Sequence, residues 1–170
     1  MKTTIVVALM LIFAGTLCSG APPEASKSTP QFDKMKSLVG TWKGKDDEGK
    51  PVSVTYKLAS NGNSLMEELE MAEDPEAMIT MYHLNGSKLM MTHYCSMGNQ
   101  PRMRMDKASK DGNTFTFSFV DATNLASKKD SHMSKLVVTF KDSDHFTQEW
   151  TMSMDGKDAH HAVFDFERAK

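Results

Sequence analysis

The chain has 170 residues, with 20 Lys and Arg against 22 Asp and Glu and a formal charge of −2 at pH 7. No basic block or stripe breaks that balance, which argues against nucleic acid as a partner. Of the two cysteines, Cys18 and Cys95, only Cys95 lies beyond the N-terminal leader, so no internal disulfide is available and the fold must rest on its core.

Residues 1–20 read as a secretory signal peptide: Lys2 supplies the positive start, Ile5 to Leu17 a largely apolar stretch, and Cys18-Ser19-Gly20 the small residues before a cut near Gly20. The apolar stretch is shorter than the ~20 residues a membrane span needs, so stable membrane insertion is not expected. Leu17 is bulky where a lipid-attachment site carries a small residue, so Cys18 reads as part of the leader and the destination as secreted or periplasmic. Residues 21–30, rich in proline and polar side chains, read as a disordered linker.

The domain itself spans 31–170. Phe32, Met35, Leu38 and Val39 recur at helical spacing, which predicts one short helix over 31–39, ended by Gly40. Turn signals then follow at Glu48-Gly49, Asn61-Gly62, Asp74-Pro75, Asn85-Gly86, Gly98-Asn99, Asp111-Gly112, a longer loop near 122–131, Asp142-Ser143-Asp144 and Asp155-Gly156. They divide the chain into ten strands at a spacing of about twelve to fourteen residues, the cadence of a sandwich or barrel.

Alternation gives each strand one apolar face: Val52, Val54, Tyr56 and Leu58; Phe115, Phe117 and Phe119; Leu136, Val138 and Phe140; Phe146, Gln148, Trp150, Met152 and Met154; Ala162, Phe164 and Phe166. Short connections make sequence neighbours pair antiparallel, and a ten-strand meander removes its edges by closing. The prediction is all-β: an up-and-down antiparallel barrel of about ten strands preceded by one short helix.

Asn85-Gly86 favours a two-residue hairpin loop, which would set Leu84 opposite Ser87 and Met78 opposite His93. On that register Met78, Thr80, Tyr82, Leu89, Met91, His93 and Cys95 share the inward face. With Glu67, Gln148, Trp150 and His160, this face brings an unusual set of polar groups indoors. Unpaired, each would cost ~1–3 kcal/mol, so the set is either hydrogen-bonded to itself and water or bound to a ligand. At the mouth between the fifth and sixth strands, Gln100 and Arg102 are candidates to fork onto a ligand carboxylate, while Met103 and Met105 compete for the inner face and would turn Arg102 and Arg104 outward.

At Gly40-Thr41-Trp42-Lys43-Gly44 the chain resembles the calycin superfamily: lipocalins, fatty-acid-binding proteins and nitrobindin-like barrels. The resemblance implies that Trp42 plugs one barrel end and that a basic residue of the last strand, here Arg168, packs over it. The layout of 31–170, and Thr92-His93-Tyr94-Cys95 through Gly98-Asn99-Gln100-Pro101-Arg102-Met103 in particular, is similar to a family of secreted lipocalin-like domains. No helical insert follows the first strand, as it does in fatty-acid-binding proteins, and the strand count exceeds the lipocalin eight.

The resulting expectation is a secreted protein that binds a small, partly apolar molecule in its barrel through Glu67, Thr80, Tyr82, His93, Cys95, Gln100, Arg102, Gln148 and Trp150. Three alternatives stand beside it: an enzyme using His93, Tyr82 and Glu67 for acid–base work, an interaction domain with a filled barrel, and a copper(I) carrier. The last rests on thirteen methionines after residue 20, including the Met103-x-Met105 and Met152-x-Met154 pairs, with His93 or Cys95 completing the site. A haem ligated by histidine is a related idea, with no single histidine singled out. His93 and Cys95, two residues apart on one strand, lie about 6.5 Å from each other, too far for a thiol–imidazole catalytic pair.

Overall fold

The computed structural model describes residues 28–72 and 74–170. The signal peptide at 1–20 and most of the linker lie outside the described residues.

A seven-residue helix, α1 (Pro30–Lys36), opens the domain. Thr29 caps it by accepting from the Phe32 N–H, and Pro30 occupies the first turn, where its missing N–H costs nothing. The helix ends earlier than the apolar spacing predicts. Phe32, Met35 and Leu38 are buried, but Val39 faces solvent.

Ten strands follow among the described residues: β1 (Gly40–Lys45), β2 (Pro51–Ala59), β3 (Ser64–Met71), β4 (Met78–Asn85), β5 (Lys88–Tyr94), β6 (Gln100–Ala108), β7 (Thr114–Thr123), β8 (His132–Phe140), β9 (His145–Met154) and β10 (Lys157–Arg168). Each pairs antiparallel with its sequence neighbour, and β1 pairs with β10 to close the barrel. The all-β meander read from the turn cadence is the observed fold. No helix among the described residues is long and apolar enough to cross a membrane.

The seam explains the second glycine of the Gly-x-Trp-x-Gly stretch. A Cβ on Gly44 would lie 2.0 Å from the Asp165 carbonyl oxygen of β10, so any side chain there would force the closing pair apart.

Trp42 occupies one end of the barrel. Its indole N–H donates to the Leu38 carbonyl at 2.7 Å, and Phe146 meets its ring edge-on at 4.8 Å. The Arg168 guanidinium lies 4.0 Å above the ring and donates to the carbonyls of Val39 and Ser37 at 3.0 and 3.1 Å. Helix, tryptophan and arginine together seal this end, where β8 and β9 contribute Phe140 and Phe146.

Three details differ from the sequence reading. The β4–β5 loop is Gly86-Ser87, with Asn85 paired to Lys88 and Gly86 at φ 60°. A glycine at the first central position suits a type II′ turn as well as Asn-Gly suits type I′, and here the former forms. Partners consequently move by two residues, so Thr80, not Met78, faces His93, and Tyr82 faces Met91. A two-residue shift leaves the faces unchanged, and Met78, Thr80, Tyr82, Leu89, Met91, His93 and Cys95 are all buried. Finally, Leu58 and Met154 have inward parity but are 51% and 43% exposed, because both sit at strand ends beyond the packed interior.

Candidate functional site

One rung of the barrel wall carries the polar groups. Tyr56 pairs with Glu67, Glu67 with Thr80, and Thr80 with His93, so four adjacent strands aim phenol, carboxylate, hydroxyl and imidazole into the same interior layer. Glu67 is the hub. Its Oε2 accepts from Tyr56 Oη at 2.7 Å, Tyr82 Oη at 2.8 Å and Gln148 Nε2 at 2.8 Å, while Oε1 accepts from Thr80 Oγ1 at 3.1 Å. Gln148 also donates to Tyr56 Oη, and its own carbonyl accepts from the Trp150 indole at 3.0 Å. Complete burial pushes the Glu67 carboxyl up, and the four hydrogen bonds pull against that shift; the same burial, beside the carboxylate, raises both tyrosines well above their ordinary range.

Proton counting through this network ties the state of His93 to that of Glu67. With Glu67 ionised, the one hydrogen of the Thr80 hydroxyl goes to Glu67, so its contact with His93 Nδ1 at 2.9 Å receives a proton from the ring. His93 is therefore the Nδ1–H tautomer, and its Nε2 presents a lone pair. That atom is buried and has no hydrogen-bond partner. The ring packs against Trp150 with centroids 4.7 Å apart. Burial lowers the His93 pKa from its ordinary value to about 4.

His93 is one of the residues lining a cavity of about 200 Å³ at the barrel end away from Trp42. Leu69, Trp150, Ala162 and Phe164 give it an apolar body. Sulphur is abundant: Met71, Met78, Met97, Met133 and Met152 contribute thioethers and Cys95 a thiol, with Asp74, Ser96 and His160 among its polar members. β-Bulges between Met133 and Lys135 and between Asp158 and His160 lie beside it and re-aim those side chains, as bulges near functional sites often do.

The structure brings Glu67, Thr80, Tyr82, His93, Gln148 and Trp150 into one connected network, with His93, Cys95 and Trp150 lining the cavity. Gln100 and Arg102 stand apart from it. Gln100 is tied to Gly98 and Thr123, and Arg102 points outward into a two-pronged pair with Asp121 at 2.5 Å for each prong. The outward turn follows from Met103, which takes the inner position and is fully buried. Of the three groups an acid–base mechanism would use, only His93 reaches the cavity; Glu67 and Tyr82 are engaged one layer in. Tyr56 was read as plain core, although its place one strand from Glu67 marks it as a partner. Met133 escaped the sequence reading because the bulge resets the parity of β8. Among the described residues no three His, Cys, Asp or Glu side chains gather closely enough to hold a metal ion.

A pH dependence follows from His93. Its folded pKa is depressed, so the stability it contributes is complete above the unfolded value of 6.5 and is lost as pH falls toward 4. The loss across that window should be roughly 3 kcal/mol relative to His93→Gln, which has no titrating ring there. The raised carboxyl of Glu67 works in the opposite sense and is common to both proteins, so it cancels in the difference. Urea unfolding of both at a series of pH values measures it; parallel curves would contradict a buried neutral imidazole.

No family model matches the sequence, and no curated protein matches it. Two solved structures are similar in fold. Rv2717c from M. tuberculosis aligns with a TM-score of 0.54 at 14% identity, over 85% of this chain and 100% of that one. A protein of unknown function from the DUF3598 family of Nostoc punctiforme aligns with a TM-score of 0.53 at 13% identity, over 79% of this chain. The chain spans about half the length of the Nostoc protein, at 49%. Likeness at these identities concerns the barrel alone.

Proposed function

We propose that the protein is a calycin-type binding barrel, exported by the leader at residues 1–20, which holds a compact and mostly apolar molecule bearing a hydrogen-bond donor. The observation that carries this reading is the buried, unpartnered Nε2 of His93, a residue that lines an apolar cavity. A buried acceptor left empty costs ~1–3 kcal/mol, and a guest that donates to it recovers that energy. Size sets the guest. A cavity of about 150 Å³ accommodates benzene, so the space here fits a single ring with a small substituent rather than a lipid or a large cofactor. The Glu67–Thr80 chain holds the imbalance in place, because it fixes the ring proton on Nδ1 and leaves Nε2 as an acceptor.

Phenol and toluene, nearly equal in shape, separate the hydrogen bond from the apolar contact. Calorimetric or NMR titration should show phenol binding more tightly than toluene by about tenfold or more, and His93→Gln should weaken phenol by ~1–3 kcal/mol while the fold survives. Equal affinity for the two probes, or a variant that loses stability but binds phenol normally when folded, would identify His93 as a structural residue. The N-terminus of the exported protein, expected at Ala21, tests the leader separately.

A further inference from the structure

The composition of the cavity suits a second and chemically different occupant. His93 offers a neutral imidazole lone pair on one wall. One step beyond the Ile79–Tyr94 pair of the same wall, Met78 and Cys95 take facing places on the inner side of β4 and at the end of β5. On the other wall Met152 is the cross-strand partner of both Met133 and His160, so three soft or borderline donors occupy one rung of β8, β9 and β10. The two walls are close, since His93 packs on Trp150, which lies two residues before Met152 on the same face. Thioether, thiol and imidazole are the ligands that select a soft cation, whereas the lack of any three-member His, Cys, Asp or Glu cluster among the described residues disfavours zinc and harder ions. Charge points the same way. The Glu67 carboxyl is fully buried and receives only neutral donors, and Thr80 links it to an imidazole whose other nitrogen has no partner. A monovalent cation on Nε2 would balance that carboxyl in its ionised form through one hydroxyl.

The geometry points to a four-coordinate Cu(I) site formed by His93 Nε2 and the sulphurs of Met78, Met133 and Met152, with the Cys95 thiol beside it. No electron is transferred, because the metal arrives and stays as Cu(I). The site shares the cavity with the organic guest proposed above and does not depend on that guest, although the two compete for Nε2. Of the methionine pairs conspicuous in sequence it takes only Met152: Met103 is buried in the core and Met154 faces solvent.

The test is an anaerobic titration of the full-length processed protein, labelled with 13C at the methionine methyls, using Cu(I) buffered by bicinchoninate. The expected result is one tightly held equivalent and shifted methyl signals for Met78, Met133 and Met152, with Met35 and Met103 unmoved. Met152→Leu, close in volume and safe for the fold, should weaken Cu(I) by about tenfold or more, as should His93→Gln. Failure to compete with bicinchoninate, shifts confined to Met154, or a Met152→Leu protein that binds as tightly as the parent would each overturn the site. Phenol binding is measured without metal, so a failed copper titration leaves the organic reading standing and a failed phenol titration leaves the copper site standing.

Discussion

Replacing Glu67 by Leu is expected to destabilise the barrel by on the order of 5 kcal/mol, a loss comparable to the whole stability of many domains. The reason is the number of donors that converge on one carboxylate. Tyr56, Tyr82, Gln148 and Thr80 all end on it, and none of these four is exposed enough to turn to bulk water. Removing the acceptor leaves buried donors unpaired, each at ~1–3 kcal/mol before any rearrangement among them. Chemical unfolding of the variant measures the loss; a midpoint near that of the parent would mean the network relaxes around a hydrocarbon and is not the hub described here. Glu67→Gln should be far milder. Its amide oxygen can keep the three donors of Oε2, and its NH2 group can donate to Thr80. That reversal frees the Thr80 hydroxyl to donate to His93 Nδ1 and moves the ring proton to Nε2. The imidazole would then change from acceptor to donor at Nε2 with the fold intact.

Trp42→Ala is the second large effect, expected at ~3–5 kcal/mol and a fall in melting temperature on the order of 10 °C. Trp42 is 1% exposed, and its removal takes away a donor to Leu38, the edge-on contact with Phe146 and the platform beneath Arg168. The guanidinium would keep its bonds to Ser37 and Val39 while losing the ring it covers. Because the tryptophan closes the end away from the cavity, ligand affinity among folded molecules should be unchanged. An unaltered melting temperature would show that the barrel end is sealed by α1 alone.

The sequence carried the barrel more clearly than it carried the site. Turn dipeptides and period-two alternation survive any tertiary context in which one face is buried, and this is why Tyr82, His93 and Cys95 could be placed indoors. The hairpin at 85–88 shows what such reasoning can confuse. Asn85-Gly86 and Gly86-Ser87 are both acceptable loops, they differ by two residues in register, and side-chain parity is blind to that difference. The face of His93 was therefore legible, and its partner was not. Since Thr80 sits opposite, the imidazole tautomer depends on the one fact that parity could not supply. Bulges account for most of the rest. Met133 entered the cavity because β8 slips at Met133/Lys135, and the β6–β7 ladder slips twice, between Arg102 and Met103 and between Met105 and Lys107. Arg102 was held outside by Met103 and by its pair with Asp121, so the basic group proposed at the mouth belongs to the barrel exterior.

The central claim is that an ionised Glu67 holds His93 as the Nδ1–H tautomer with an unshared pair on its buried Nε2. Long-range 1H–15N correlation of the imidazole at neutral pH reports it directly, since protonated and bare ring nitrogens resonate far apart. The account predicts a pyrrole-like Nδ1 and a pyridine-like Nε2 in the ligand-free protein, with the assignment exchanged in Glu67→Gln. A protonated Nε2 in the parent protein, or rapid averaging between the two tautomers, would contradict it.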